Sequence, residues 1–254
     1  MNIDLNCDMG ESFGPWPMGA DEQVMPHITS ANIACGAHAG DPVVMQTTVR
    51  LAKAVGVAVG AHPGFADLQG FGRREMAVSP KELEASLIAQ IGALSAIAHA
   101  EGVSLQHVKP HGALYNMAAR DPVLSDAIAR AIAAVDRAMI LFGLPNSPML
   151  EAGRQRGLRT AAEGFADRAY QPDGSLTPRS RAGAVIHDPD VVVQRAVRMA
   201  TDGIVLTPDG QEISLRVATI CVHGDTPGAP ELTRRIRQAL GAAGVTVGAV
   251  GAWL

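Results

Sequence analysis

The stretch ACGAHAGDP, residues 34–42, stands between a strand-like run and a helical run that begins at Val43. Its two glycines provide the backbone freedom that a tight turn requires. Asp41 followed by Pro42 predicts a helix N-cap and a first helical residue, so we assign Asp41 to capping and not to a site. Cys35 and His38 are then left at the end of a strand, where a turn alone does not require them.

The same arrangement recurs along the chain, because short apolar runs alternate with helical patterns. The seven runs that we interpret as strands are NIDLNCDMG, SANIACG, VGVAVGAHPG, QHVKPHG, AMILFGLPN, LRTAAEGFADRAY and ATICVHGD. The clearest helix covers residues 80–101, with Ser79, Pro80 and Glu82 as its capping residues. Strands that alternate with helices indicate parallel pairing and right-handed crossovers. The chain of 254 residues therefore predicts one α/β domain, a closed (β/α) barrel, with a doubly wound open sheet as the alternative.

Three segments depart from this alternation. Residues 203–215 predict a β-hairpin around Pro208, Asp209 and Gly210. Residues 169–184 form a long polar excursion, of the kind that covers binding sites. The apolar tail TVGAVGAWL, residues 246–254, is interpreted either as a final strand or as a subunit contact.

The composition excludes several classes of protein. With 47% hydrophobic residues and a net charge of −4, the chain has no basic excess for nucleic acid. We find no apolar run of about 18 residues and no secretion signal, so we expect no membrane association. Three cysteines fit a reducing compartment, and we expect a cytoplasmic protein. A homo-oligomer remains open.

Titratable or metal-capable side chains follow nearly every predicted strand. In a closed barrel the carboxyl ends of the strands converge on one mouth, where active sites lie, so we predict a catalytic mouth. The catalytic candidates are Asp8, Glu11, His38, His62, Lys109, His111 and Glu163. The candidates for binding substrate or phosphate are Asn6, Arg73, Tyr115, Asn116, Asp167, Arg168, His223 and Asp225.

The candidate residues suggest hydrolysis of a C–N or C–O bond in a small anionic substrate. Asp8, His38 and His62 form either a facial set for a divalent metal or a hydrogen-bonded network without one. Lys109 ends an apolar run, where it could neutralise an anion or stabilise an oxyanion. Arginines such as Arg73 suit a carboxylate or a phosphate. The sequence contains neither G-x-G-x-x-G nor a Gly-Lys pair, which argues against a nicotinamide or P-loop enzyme.

Six long segments, in this order, resemble the LamB/YcsF family: DLNCDMGESFG, NIACGAHAGDP, GAHPGFADLQGFGRR, VKPHGALYN, EGFADRAYQPDGSLTPRS and CVHGDTPGA. The resemblance implies a distorted seven-stranded, TIM-like (β/α) barrel of the glycoside hydrolase and deacetylase type. It also implies hydrolysis of 5-oxo-L-proline to L-glutamate, coupled to the hydrolysis of ATP, which is the co-substrate and binds together with Mg. In this family the chain works with two partner subunits, B and C. The alternatives are a stand-alone metal-dependent deacetylase or amidohydrolase, and a non-catalytic subunit that presents substrate.

Overall fold

The computed structural model describes residues 1–224 and 228–254. Its strands are β1 Asn2–Met9, β2 Ser30–Ala34, β3 Ala58–His62, β4 Leu105–Val108, β5 Ile140–Gly143, β6 Arg159–Phe165, β7 Ile204–Leu206, β8 Glu212–Ser214, β9 Thr219–Val222 and β10 Thr246–Val247. Seven of them pair in parallel in the order β1-β2-β3-β4-β5-β6-β9, and β9 pairs back to β1. The barrel is therefore closed, which confirms the predicted fold and rules out the open sheet.

Helices fill the crossovers between the strands. They are α1 Asp21–Val24, α2 Pro42–Val55, α3 Pro80–Ala100, α4 Gly112–Ala118, α5 Pro122–Val135, α6 Pro148–Gln155, α7 Pro189–Thr201 and α8 Ala229–Ala242. Asp41 caps α2 by accepting hydrogen bonds from the first-turn amides, and Ser79 with Glu82 forms the predicted capping box of α3. The periodicity did not predict α1, α4 and α6, which are too short to show a full apolar stripe.

The three segments that depart from the alternation of strands and helices lie where the sequence predicted them. Strands β7 and β8 pair antiparallel as the predicted hairpin. Gln171 and residues 173–180 of the polar excursion line the barrel mouth. The tail adds β10 to β1 and continues into a short 3₁₀ turn, Val250–Ala252. The interpretation of the tail as a final strand is thus confirmed.

Most of the apolar core lies between the barrel wall and the helices. Helix α3 has a mean hydropathy of 1.3 and is long and apolar enough to cross a membrane, by length and composition only. Core helices of folded domains pass the same test. In this structure Leu87, Ile91 and Leu94 of α3 are buried, and the helix contacts α5 and β3.

The inside of the barrel is polar along β1. Asp4, Asn6 and Asp8 are two residues apart, so their side chains share one face of the strand. Asp4 lies near the floor of the barrel, where its carboxylate accepts hydrogen bonds from the hydroxyls of Thr29 and Ser30 at 2.7 Å. Below it the tail closes the barrel with an apolar cluster of Ile140, Phe142, Ala161, Val250 and Trp253. The opposite end, at the carboxyl ends of the strands, is the mouth of the barrel.

The buried carboxyl of Asp4 makes the stability of the fold depend on pH. Burial raises its pKa to about 6, despite the hydroxyls that donate to it. The folded chain therefore keeps a proton that the unfolded chain releases near pH 4. The contribution of Asp4 to stability should fall as the pH rises from about 4 to 6, by up to about 3 kcal/mol.

Urea unfolding of the wild type and of Asp4→Asn across this range measures the effect. We expect the wild type to lose stability relative to the variant as the pH rises. The exposed Glu22→Gln is the control and should track the wild type. A difference between wild type and Asp4→Asn that does not change with pH would contradict the raised pKa.

Candidate active site

The carboxyl ends of the barrel strands open into a cavity of about 790 Å³. Ten of the residues predicted from the sequence line it: Asp8, Glu11, His62, Arg73, Lys109, His111, Tyr115, Asn116, Arg168 and His223. Four others are in hydrogen-bonding, ion-pair or stacking contact with these lining residues: Asn6, His38, Glu163 and Asp167. Asp225 lies outside the described residues. The structure thus brings the described candidates together.

Lys109 occupies the floor of the mouth, directly after β4. Its ammonium nitrogen lies 2.8 Å from Asp8 Oδ1 and 2.9 Å from Glu163 Oε1. It also contacts Asn6 Oδ1 at 3.3 Å and Cys221 Sγ at 3.0 Å, and the side chain is 3% exposed. Burial alone would lower the pKa of a lysine, but Asp8, Cys221 and Glu163 raise the pKa of Lys109 well above its usual value. The ammonium therefore stays charged.

Asp8 is the carboxylate of this centre that reaches the cavity. Its Oδ1 accepts hydrogen bonds from Lys109 and from Asn32 Nδ2, both at 2.8 Å, while Oδ2 lies 3.3 Å from His62 Nε2. Burial raises its pKa, but His62 and Lys109 outweigh burial and hold the pKa of Asp8 well below the usual range. Its side chain is 17% exposed, whereas that of Glu163 is fully buried. Asp8 is thus an ionised carboxylate with access to a bound molecule.

Beside this centre lies a second group, which we call the His/Glu cluster: Glu11, His38, His62 and His111. One ligand atom from each lies within 4.8 Å of the others, so the cluster could hold a metal ion. The rings of His38 and His111 stack in parallel with centroids 3.7 Å apart. The sequence prediction of a metal set named Asp8 with His38 and His62. The structure groups both histidines with Glu11 and His111, while Asp8 borders the cluster through Oδ2, 3.3 Å from His62 Nε2.

The loop after β3 builds the His/Glu cluster. A Cβ atom on Gly72 would lie 2.8 Å from both His111 and His38, so only glycine permits this close approach. The preceding Phe71 has a φ of +54°, a strained conformation for a large residue. That conformation presents the Phe71 carbonyl to His111 Nε2 at 2.8 Å. Burial lowers the pKa of His111 to about 3 and that of His38 well below its usual value, so both imidazoles are neutral.

The opposite wall of the mouth carries an Asp–His pair. His223 Nε2 accepts a hydrogen bond from Arg179 at 2.9 Å, so its proton is on Nδ1, which donates to Asp167 Oδ2 at 2.5 Å. Arg168 donates to the carbonyls of Ala184 and Thr177, and it therefore also fixes the loop of residues 169–184. Sequence reasoning missed Arg179 because the loop gave no indication of which of its arginines turns inward.

Two polar residues inside the barrel were also missed. Asn32 donates to Asp8 Oδ1 and to Asn6 Oδ1, at 2.8 and 2.7 Å. His107 Nε2 lies 2.7 Å from Asn32 Oδ1, and its ring stacks on Phe142. In the predicted run QHVKPHG, His107 is at the start of the strand, which argues against a place in the mouth; in the structure it is the third of the four residues of β4. Its two-residue spacing from Lys109 was the available signal, since side chains at that spacing share one face of a strand.

The chain is thus a closed (β/α) barrel whose ionisable side chains gather at the carboxyl ends of its strands. Enzymes with this fold have their active sites at that end. The family model for the LamB/YcsF family matches residues 3–254, and the chain belongs to this family.

Named relatives agree with this assignment. The chain is 56% identical over 250 residues to the 5-oxoprolinase A subunit of Symbiobacterium thermophilum, covering 98% of this chain and 96% of the relative. The crystal structure of a lactam utilization protein from Thermus thermophilus matches with a TM-score of 0.93 and 51% identity, covering 98% of this chain and all of the other. A T48 deacetylase, 14% identical with a TM-score of 0.53 over 98% of this chain and 88% of its own, shares the fold alone.

Removing the buried ammonium should leave two buried carboxylates without a counter-charge. We expect Lys109→Met to lower the free energy of unfolding by about 3–5 kcal/mol at neutral pH. Without the ammonium, burial would raise the pKa of Asp8 in the folded variant, so the loss should be larger at pH 8 than at pH 5.

Chemical unfolding at the two pH values tests this expectation. Glu163→Gln combined with Lys109→Met should recover part of the loss, because one of the unpaired charges is removed. Lys81→Met on the exposed side of α3 is the matched control and should cost little. An equal, small effect of both lysine substitutions would refute the role of Lys109 as the counter-charge.

Proposed function

We propose that this protein is the A subunit of an ATP-dependent 5-oxoprolinase. It opens 5-oxo-L-proline to L-glutamate while ATP is hydrolysed to ADP and phosphate, and it acts in the cytoplasm with B and C partner subunits. The observation that carries the proposal is the charged Lys109 at the floor of a polar mouth, held between Asp8 and Glu163. It stands in a chain more than half identical to proteins named as the 5-oxoprolinase A subunit and as a lactam utilization protein.

The chemistry explains why such a site would be coupled to ATP. A five-membered lactam is an unstrained amide, so its hydrolysis is slow and barely favourable. Transfer of a phosphoryl group to the lactam oxygen would make the ring carbon a better electrophile. The reaction then needs a base for the attacking water and an acid for the nitrogen that becomes an amine.

The residues of the mouth fit these roles. Asp8 is the proposed base, since it is ionised, reaches the cavity and is fixed by Lys109 and Asn32. Lys109 lies beside it as a permanent positive charge where negative charge would develop on oxygen. Tyr115, buried in the same wall, is proposed to contact the bound ring.

The opposite wall supplies the second proton. His223 faces the cavity with Asp167 behind its Nδ1, an arrangement that fixes the tautomer and stabilises the protonated ring. We assign it the role of acid toward the lactam nitrogen: once Arg179 no longer donates to Nε2, that nitrogen would take up a proton from solvent and pass it to the lactam nitrogen. Arg179, which now donates to His223, would transfer its hydrogen bonds to an incoming anion.

The size and charge of the cavity support a second, anionic ligand. A volume of about 790 Å³ exceeds what a single-ring substrate fills. Arg73 and Arg168 line it, and guanidinium groups bind carboxylates and phosphates in a bidentate manner. We propose that the two arginines bind the substrate carboxylate and the phosphates of Mg-bound ATP. Asn116 lines the same pocket.

One observation favours a second candidate function. The His/Glu cluster would allow a stand-alone, metal-dependent amidohydrolase that needs no ATP. A divalent ion there would polarise a carbonyl or acidify water. The two functions differ in their co-substrate, so one assay separates them.

The first prediction is that glutamate appears only with ATP, Mg and both partners. We would measure glutamate release from 5-oxo-L-proline with this protein alone and then with the candidate B and C subunits. Glutamate from this protein alone without ATP would favour the amidohydrolase. No glutamate in any mixture of folded proteins would contradict the oxoprolinase.

The second prediction concerns the mouth residues. Asp8→Asn and Lys109→Gln should lower turnover in the complete mixture by at least about a hundredfold, the range over which general bases and oxyanion donors act. His99→Gln, exposed on α3, should leave turnover unchanged. If both mouth variants assemble with the partners and turn over normally, this chain presents substrate without catalysing the reaction.

A further inference from the structure

The proton positions in the His/Glu cluster are fixed by two backbone carbonyls. His62 Nδ1 lies 2.7 Å from the carbonyl oxygen of Lys109, and His111 Nε2 lies 2.8 Å from that of Phe71. A carbonyl oxygen only accepts hydrogen bonds, so these two ring nitrogens carry the protons. In neutral rings, the remaining nitrogens, His62 Nε2 and His111 Nδ1, each hold a lone pair. They lie 2.9 Å apart, which is repulsive unless the two nitrogens share a proton or bind one metal ion beside them, and His62 Nε2 is also 3.3 Å from Asp8 Oδ2.

His38 adds an independent observation. It is 1% exposed, and neither of its ring nitrogens has a hydrogen-bond partner among the described residues. Buried polar atoms without partners are rare and costly. His38 Nε2 lies 3.8 Å from Glu11 Oε1, which lies 3.7 Å from His111 Nδ1. His38 Nε2, one of its two unpartnered nitrogens, thus lies beside the same group of ligand atoms.

We propose that one divalent transition metal ion binds among the four side chains of this cluster: Glu11, His38, His62 and His111. Donors about 2.1 Å from one ion are about 3.0 Å apart at right angles and about 3.4 Å apart at the tetrahedral angle. The separations found here are 2.9, 3.7 and 3.8 Å. The Lys109 and Phe71 carbonyls behave as outer partners that orient metal-binding imidazoles. A single proton shared by His62 and His111 would satisfy those two rings but leave both nitrogens of His38 unpartnered.

The ligand types determine which ion binds. Three imidazoles and one carboxylate favour zinc, iron, cobalt or nickel over magnesium, which prefers oxygen ligands. The site is therefore distinct from any magnesium that accompanies a nucleotide. Asp8 borders the site without being assigned as a ligand: its Oδ1 is bound to Lys109 and Asn32, and its Oδ2 lies 3.3 Å from His62 Nε2. This inference does not depend on the identity of the substrate.

Zinc binding to the chelator-treated, full-length protein tests the proposal. We expect one equivalent of zinc by elemental analysis after dialysis, unaffected by millimolar magnesium. Cobalt(II) should give visible absorption bands that zinc abolishes. Failure to retain zinc in a folded wild-type protein would overturn the proposal, whatever the glutamate assay shows.

Variants identify the ligands. His38→Gln, His111→Gln and Glu11→Gln should each weaken zinc affinity at least tenfold. Asp8→Asn and His223→Gln, which alter the same mouth outside the cluster, should still bind one equivalent. Loss of zinc in Asp8→Asn with retention in Glu11→Gln and His111→Gln would overturn the ligand set in favour of Asp8, His38 and His62. Equal binding by all five variants would show adventitious zinc only. Thermal unfolding without metal establishes that each variant is folded.

Discussion

The position of one ammonium group in the barrel constrains much of the mouth. Lys109, directly after β4, reaches Asp8 on β1 and Glu163 on β6, so a single charge connects strands from different sides of the barrel. A buried lysine is tolerated only where opposite charges and further hydrogen-bond acceptors surround it. Asp8, in turn, remains ionised in this interior because His62 and the ammonium hold its pKa well below the usual range. The charge balance at this position therefore depends on Lys109, Asp8 and Glu163 together and not on any single residue.

This centre continues into the barrel as a connected row of polar side chains. Asn6, which accepts from Lys109, donates to Glu163 and to Thr219, and Asn32 links it to Asp8. Most barrels of this kind fill their interior with branched apolar side chains. Here most apolar residues lie between the barrel wall and the helices, and a smaller apolar cluster lies at the end of the barrel that the C-terminal tail closes. The side chains beneath the mouth are consequently oriented by hydrogen bonds among the carboxylates of Asp8 and Glu163 and the amides of Asn6 and Asn32.

The sequence predicted the barrel well because its signals are local. Apolar runs, proline and aspartate caps, and the turn residues each depend on a few neighbours, and α2 and α3 begin where those signals stand. The approximate content of the mouth followed from the rule that parallel strands deliver their ends to one side. The grouping within the mouth did not follow, since it depends on loop conformation. The positive φ of Phe71 and the close approach at Gly72 bring His111 onto His38, and no periodic pattern encodes that contact.

The mouth thus contains two chemically different centres that meet at one contact. On one side, Lys109 holds two carboxylates; on the other, three imidazoles converge with Glu11. Asp8 and His62, whose facing atoms are 3.3 Å apart, belong to different centres and form the boundary. A charge placed on the His62 side changes the field at Asp8, and any change in the protonation of Asp8 is felt by His62. Because Asp8 also reaches the cavity, both centres would influence the charge of the carboxylate that contacts a molecule bound there.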